Sequence, residues 1–213
     1  MLKKIISQLT GQSERPQFDA SIFQDPIAMK TSWLPLAGGG SNFKSARLHQ
    51  VNEQRMEFRA SPAMKLFAMV FVVFGLVLAT LFISKQPDSK EVYIPIAMGL
   101  LFAAVGAGMF YSGYTPTVFD LGHGYFCRSR KKPELMMDKS KLKRYAELNR
   151  VHALQIIAEL CKSDKRSYYS YELNLVLDDG SRVNVVDHGN QNALRTDAQT
   201  LSQFLNKPLW DAS

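Results

Sequence analysis

The sequence predicts an α+β membrane protein: a two-helix transmembrane hairpin inserted in a β-sandwich or barrel of about seven strands, closed by a C-terminal amphipathic helix. Three observations carry that prediction. Two long apolar runs, 66–83 and 92–111, stand only eight residues apart. The segments flanking them alternate apolar and polar residues, the period of half-buried strands. Near the end, Leu194, Ala198, Leu201 and Leu205 recur at spacings of 4, 3 and 4, the period of one helix face.

The first run, LFAMVFVVFGLVLATLFI, has eighteen residues and no charge. At about 1.5 Å per residue it spans roughly 27 Å, close to the hydrocarbon thickness of a bilayer. Thirteen of the eighteen are Leu, Ile, Val or Phe, which favours insertion by roughly 4–8 kcal/mol before penalties. The second run, VYIPIAMGLLFAAVGAGMFY, has eight such residues and several glycines, so its own drive is nearer 2–5 kcal/mol. Small residues give the weaker span a way to lean on the stronger. Ala68, Gly75 and Ala79 on the first helix and Gly99, Ala103, Gly106 and Ala107 on the second are expected to let the two backbones approach closely.

The connection SKQPDSKE (84–91) is too short for anything but a tight turn, so the helices are expected to be antiparallel. Basic residues crowd both outer flanks, with Arg47, Arg55, Arg59 and Lys65 before and Arg128, Arg130, Lys131 and Lys132 after. The loop carries only Lys85 and Lys90. The positive-inside rule then puts the amino and carboxyl termini in the cytoplasm, a multi-pass topology. No cleavable signal peptide is expected at the start. Leu2, Ile5, Ile6 and Leu9 share one helical face, suited either to the membrane surface or to packing on the protein.

The flanks supply the strands. Leu154, Ile156, Ala158 and Leu160 alternate with Gln155 and Glu159; Tyr171, Leu173, Leu175 and Leu177 with Glu172 and Asn174; Val183 and Val185 with Arg182 and Asn184. A three-residue turn, Asp178-Asp179-Gly180, sets Leu175 opposite Val183 and Leu173 opposite Val185, and places Gly where a left-handed residue is needed. A hairpin is predicted around LGHG (121–124) and another from 42–49 and 55–60, with Leu48, Met56 and Phe58 facing inward. The terminal helix is capped by Asn190 and ends before Pro208. The organisation is thus an N-terminal segment and linker (1–42), a strand pair (43–60), a first span (64–83), a short extracytoplasmic loop (84–91), a second span (92–112) and a β-rich domain with its helix (115–213). Seven strands closed by a terminal helix is, by analogy, the pleckstrin-homology-like architecture.

Several segments carry a resemblance. TSWLPLAGGGSNF (31–43), VFDLGHGYF (118–126), VHALQIIAE (151–159), YYSYELNLVLDDGSRVNVVDHGN (168–190) and FLNKPLWD (204–211) are similar to uncharacterised bacterial two-span inner-membrane proteins with a pleckstrin-homology-like cytoplasmic domain. Cys127 stands where that resemblance implies an aromatic residue. It implies topology and fold, and no catalytic residues.

With 213 residues, a charge of +7 and two cysteines, the chain is neither a disulfide scaffold nor a disordered polymer. The densest charge is a basic run of Arg128, Arg130, Lys131, Lys132, Lys139, Lys141, Lys143 and Arg144 against Glu134 and Asp138, net +6. Beside a membrane such a run is expected to attract anionic lipid headgroups. Nucleic acid is a poor fit, since no recognition motif accompanies the charge. Gly38-Gly39-Gly40-Ser41 lacks the Lys-Ser/Thr of a phosphate loop and reads as a flexible connection. His49, His123 and His152 have no zinc-site spacing, Cys127 and Cys161 are expected to be reduced thiols, and no cofactor is implied. The expected function is non-enzymatic: a binding or scaffolding domain held at the cytoplasmic membrane surface, with the bilayer, an unidentified protein and a second copy of the chain as partners. Two alternatives stand beside it, a small oligomeric channel or transporter accessory subunit, and a membrane-bound enzyme using His188 next to Asp187.

Overall fold

The structure is a computed structural model that describes residues 18–36, 38, 40–84, 92–113, 115–131, 133–136, 142, 144–162 and 167–213. The amphipathic start at 1–10 and most of the interhelical loop lie outside them.

Nine strands form two sheets among the described residues. The first sheet is an antiparallel meander of β1 (Ala46–Asn52), β2 (Arg55–Ala60), β3 (Thr117–Asp120), β4 (Tyr125–Arg128) and β5 (Tyr145–Glu147). The helical hairpin interrupts it between β2 and β3, yet those two strands pair directly, Phe58 opposite Thr117 and Met56 opposite Phe119. The second sheet has the order β8-β7-β6-β9, from β6 (Val151–Lys162), β7 (Ser167–Leu177), β8 (Arg182–His188) and β9 (Leu209–Ala212). Two strands exceed the seven expected. β5 is only three residues long and shows no alternation to read, and β9 follows Pro208 as a parallel partner of β6. The chain therefore ends on a strand and not on its helix.

The preferred turn between β7 and β8 is present. Gly180 has φ +82°, a backbone that costs other residues about 1 kcal/mol or more. Leu175 does face Val183, but Leu173 faces Val186. Val185 is the extra residue of a β-bulge, so the register slips by one beyond Asn184.

The main core lies between the sheets. Met56, Phe58, Phe119 and Phe126 come from the first, Leu154, Ile156, Leu173 and Leu175 from the second. Helix α4 (Gln191–Leu205) closes it with Leu194, Ala198, Leu201 and Leu205, all buried; each buried leucine contributes about 1.5–3 kcal/mol. The Asn190 side chain caps this helix, accepting from Ala193 N–H at 2.9 Å. Arg195 ties it to β9 through Asp211 at 2.6 Å.

The outer face of the second sheet does not meet solvent as the alternation predicted. Gln155, Glu172 and Asn174 are as buried as the core leucines, because an N-terminal strap, residues 18–36, crosses them. The strap holds the five-residue helix α1 (Pro26–Lys30), and Asp25 caps it through Ile27 N–H at 2.7 Å. The second Asp25 oxygen meets His152 Nε2 at 2.7 Å. Phe18, Phe23 and Trp33 cluster with Trp210 over Ala153 and Val176. Ser32 C=O accepts from Gln155 Nε2, Thr31 Oγ1 donates to Gly180 C=O, and Leu36 N–H donates to Glu172. Gly40, expected in a flexible connection, is closely packed, since a Cβ there would overlap the Ser170 side chain.

Helices α2 (Pro62–Ile83) and α3 (Tyr93–Gly113) are both long and apolar enough to cross a membrane. They pack on each other through small residues. Gly75 sits against Gly99 and Ala103, Gly99 also against Ala79, and Gly106 against Ala68 and Val72. Ala107, expected on this seam, is exposed, because it lies one position beyond Gly106 and so about 100° round the helix. The remaining surface is bare: only 17% and 11% of the most apolar window of each helix is buried. Leu66, Val70, Phe74, Ile94 and Leu101 stand half or more exposed.

Candidate functional site at the hairpin root

The hairpin is fixed to the domain at Ser61. This residue is buried, caps α2 by accepting from Met64 N–H at 3.1 Å, and donates its hydroxyl to Lys44 C=O at 2.6 Å. Its own N–H donates to Ser45 C=O at 3.0 Å. Helix α3 returns to the same place, with Gly113 beside Ala60. Where the two helix ends meet the two sheets, a cavity of about 380 Å³ opens, lined by Phe43, Ser45, Phe58, Thr117, Arg128 and Val186, with Met64 and Gly113 on the helix side.

Strand alternation decides which side chains enter it. Phe126 and Phe119 point into the core, so Arg128 and its cross-strand partner Thr117 face the same way. Arg59 also borders the cavity, but alternation with buried Phe58 turns it outward, where its guanidinium donates to Glu57 at 2.8 Å. Asp187 likewise lies between the buried Val186 and His188. Its carboxylate faces the outer side of the sheet, accepts from Asn184 Nδ2 at 3.0 Å and stands directly across from Glu172. A smaller, wholly apolar cleft adjoins, lined by Ala60, Met64, Ala68, Met109, Phe110 and Gly113 beside Lys65. Ala60, Met64 and Gly113 border both spaces.

The electrostatics follow from burial. Arg128 is held below the usual arginine value by burial and then by Arg144, with Asp187 pulling the other way; a guanidinium nonetheless stays charged at neutral pH. No carboxylate among the described residues lies within ion-pair distance of it. Glu172 is pushed above the ordinary carboxyl range by burial, and Asp187 adds to the rise. Burial raises Glu57 too, but hydrogen bonds from Arg59 and Arg55 outweigh it and leave the carboxyl low.

The basic run is divided by the fold. Arg128 lines the cavity, Arg130 stacks on Tyr111 at the foot of α3 with its guanidinium carbon 3.4 Å from the ring centre, and Lys131 is exposed. Arg144 C=O accepts from Arg128 N–H. Lys132, Lys139, Lys141 and Lys143 lie outside the described residues. His188 is wholly buried in the core, with Nδ1 accepting from Asn190 N–H at 3.0 Å. Burial and then Lys44 lower its pKa, keeping the ring neutral. Cys127 and Cys161 are buried free thiols on different sheets. Sequence reasoning missed the cavity, because Phe43, Thr117 and Val186 are ordinary strand residues whose convergence depends on how the sheets meet. It also missed the Asp25–His152 pair.

No protein-family model matches the chain, and no curated protein does either.

Proposed function

We propose that the chain is a non-enzymatic integral protein of a bacterial inner membrane, whose helical hairpin holds a pleckstrin-homology-like binding domain against the cytoplasmic surface. The observation that carries this reading is the rooting of two bare apolar helices in adjacent, hydrogen-bonded strands. A core helix of a soluble protein buries its apolar faces; these leave theirs open along their length, as lipid contact requires. One residue joins β2 to α2 and three join α3 to β3, so the domain abuts the bilayer and both flanks share one side. The basic residues at that root select the cytoplasmic side. A helix closing the core between two sheets supports the pleckstrin-homology-like assignment, and a cavity at the root gives such a module something to bind.

Reporter fusions at Met1 and Ser213 test the topology. Cytoplasmic signals from both are expected, together with retention in the membrane after carbonate washing. Signals from opposite compartments would overturn the reading. Crosslinking in native membranes followed by mass spectrometry then reads partner and assembly together.

A further inference from the structure

The root cavity shares Ala60, Met64 and Gly113 with the apolar cleft, which at about 10 Å³ is little more than a seam between the helices. Arg128 and Thr117 line the cavity; Ala68, Met109 and Phe110 line the cleft. The cavity volume, about 380 Å³, falls in the range of small-molecule sites, about 300–1,000 Å³. Asp187, the acid whose charge reaches Arg128, is committed to Asn184 on the far face of its sheet. A half-buried cation with no carboxylate against it among the described residues is costly, and a phosphate matches the guanidinium fork in shape and charge. The Arg130–Tyr111 stack lies at the foot of α3, the kind of aromatic and basic pair that sits at headgroup depth. A peptide strand is a poorer occupant, because the neighbouring edges already join through Gly189 N–H to Phe43 C=O and Ser45 Oγ to Asp187 C=O.

From this we infer that the root binds one phospholipid from the adjoining leaflet, its phosphate on Arg128 and its acyl chains along the exposed apolar faces of α2 and α3. The inference rests on the membrane reading above. It assigns the hairpin a second task beyond anchoring, presenting a lipid directly to the domain's interior.

Native mass spectrometry of the full chain in detergent tests it with three probes: phosphatidylglycerol, diacylglycerol and glycerol phosphate. A one-to-one adduct with phosphatidylglycerol is expected. Arg128→Gln weakens that adduct roughly tenfold or more, the size of one charge-assisted hydrogen bond, while Arg130→Gln leaves it in place. Ala60→Phe, which fills the cavity from its helix-side wall and leaves the cation intact, weakens it as well. Equal binding of diacylglycerol would overturn the phosphate anchor, and equal binding of glycerol phosphate would make the ligand a soluble phosphorylated molecule. Should Arg128→Gln unfold, Ala60→Phe alone decides, and undiminished lipid retention in it overturns the assignment. A chain that carbonate strips from membranes refutes the membrane reading itself; a carbonate-resistant chain whose lipid retention ignores Arg128 refutes only this inference.

Discussion

Adding one methyl group to Gly75 separates close helix packing from mere coexistence of two apolar rods. A Cβ there would lie 2.4 Å from Ala103 N and 2.4 Å from Gly99 O, and ordinary contact begins near 3.4 Å. Both obstacles are backbone atoms and neither can swing aside. Gly75→Ala must therefore push the helices about 1 Å apart, a gap that forfeits a quarter to a half of the dispersion energy along the seam. Overpacking of this kind costs about 1–3 kcal/mol. Gly108 is the matched control, because a Cβ there meets nothing within 4 Å. Gly108→Ala is expected to be neutral or stabilising by up to about 1 kcal/mol through helix propensity. Reversible unfolding of the full chain in mixed micelles, titrated with a denaturing detergent, should place the two variants about 2 kcal/mol apart, Gly75→Ala lower. Equal shifts in the same direction would refute the packing argument.

Three further expectations concern the domain. Glu172 is harder to ionise in the folded chain than in the unfolded one, so its contribution to stability falls as pH rises from its ordinary value of 4.5 through the raised one; Glu172→Gln should flatten that decline in thermal melts, and an unchanged slope would count against it. Burial raises Asp25, but its hydrogen bonds to His152, Ile27 and Ala28 hold it low. The pairing is lost as pH falls through that lowered value, and His152→Ala at neutral pH should expose residues 18–36 to limited proteolysis while the remaining domain stays intact. Leu201→Ala, which empties a fully buried position of α4 in the main core, should cost about 2–5 kcal/mol in denaturant unfolding.

Much of this molecule is written in local periodicity. The helix over 191–205, its Asn190 cap and the Asp178–Gly180 turn follow from spacing and turn chemistry, since each depends on residues within a few positions of one another. The strap does not. Gln155, Glu172 and Asn174 obey the alternation of a solvent-facing side, and only contacts more than a hundred residues away, with Ser32 and Leu36, turn that side into an interior. A signal was available in Ala153, Val176 and Trp210, apolar residues out of phase with the main core, and in the aromatic Phe18, Phe23 and Trp33 that cover them. The Val185 bulge was equally hidden, because a one-residue insertion leaves both Val185 and Val186 apolar and inward. Of the root cavity, the sequence exposed the charge of Arg128 but not the space in front of it.

The interruption of the first sheet by the hairpin has a consequence for biogenesis. Strands β1 and β2 leave the ribosome before either span, and β3 only after both. On the membrane reading proposed above, the β2–β3 ladder closes only when the two helix ends return to one side of the bilayer. A chain that integrates just one span strands its halves in different compartments, leaving β2 as a raw edge and the core open. On that reading, closing this one pair of strands requires that both spans have inserted.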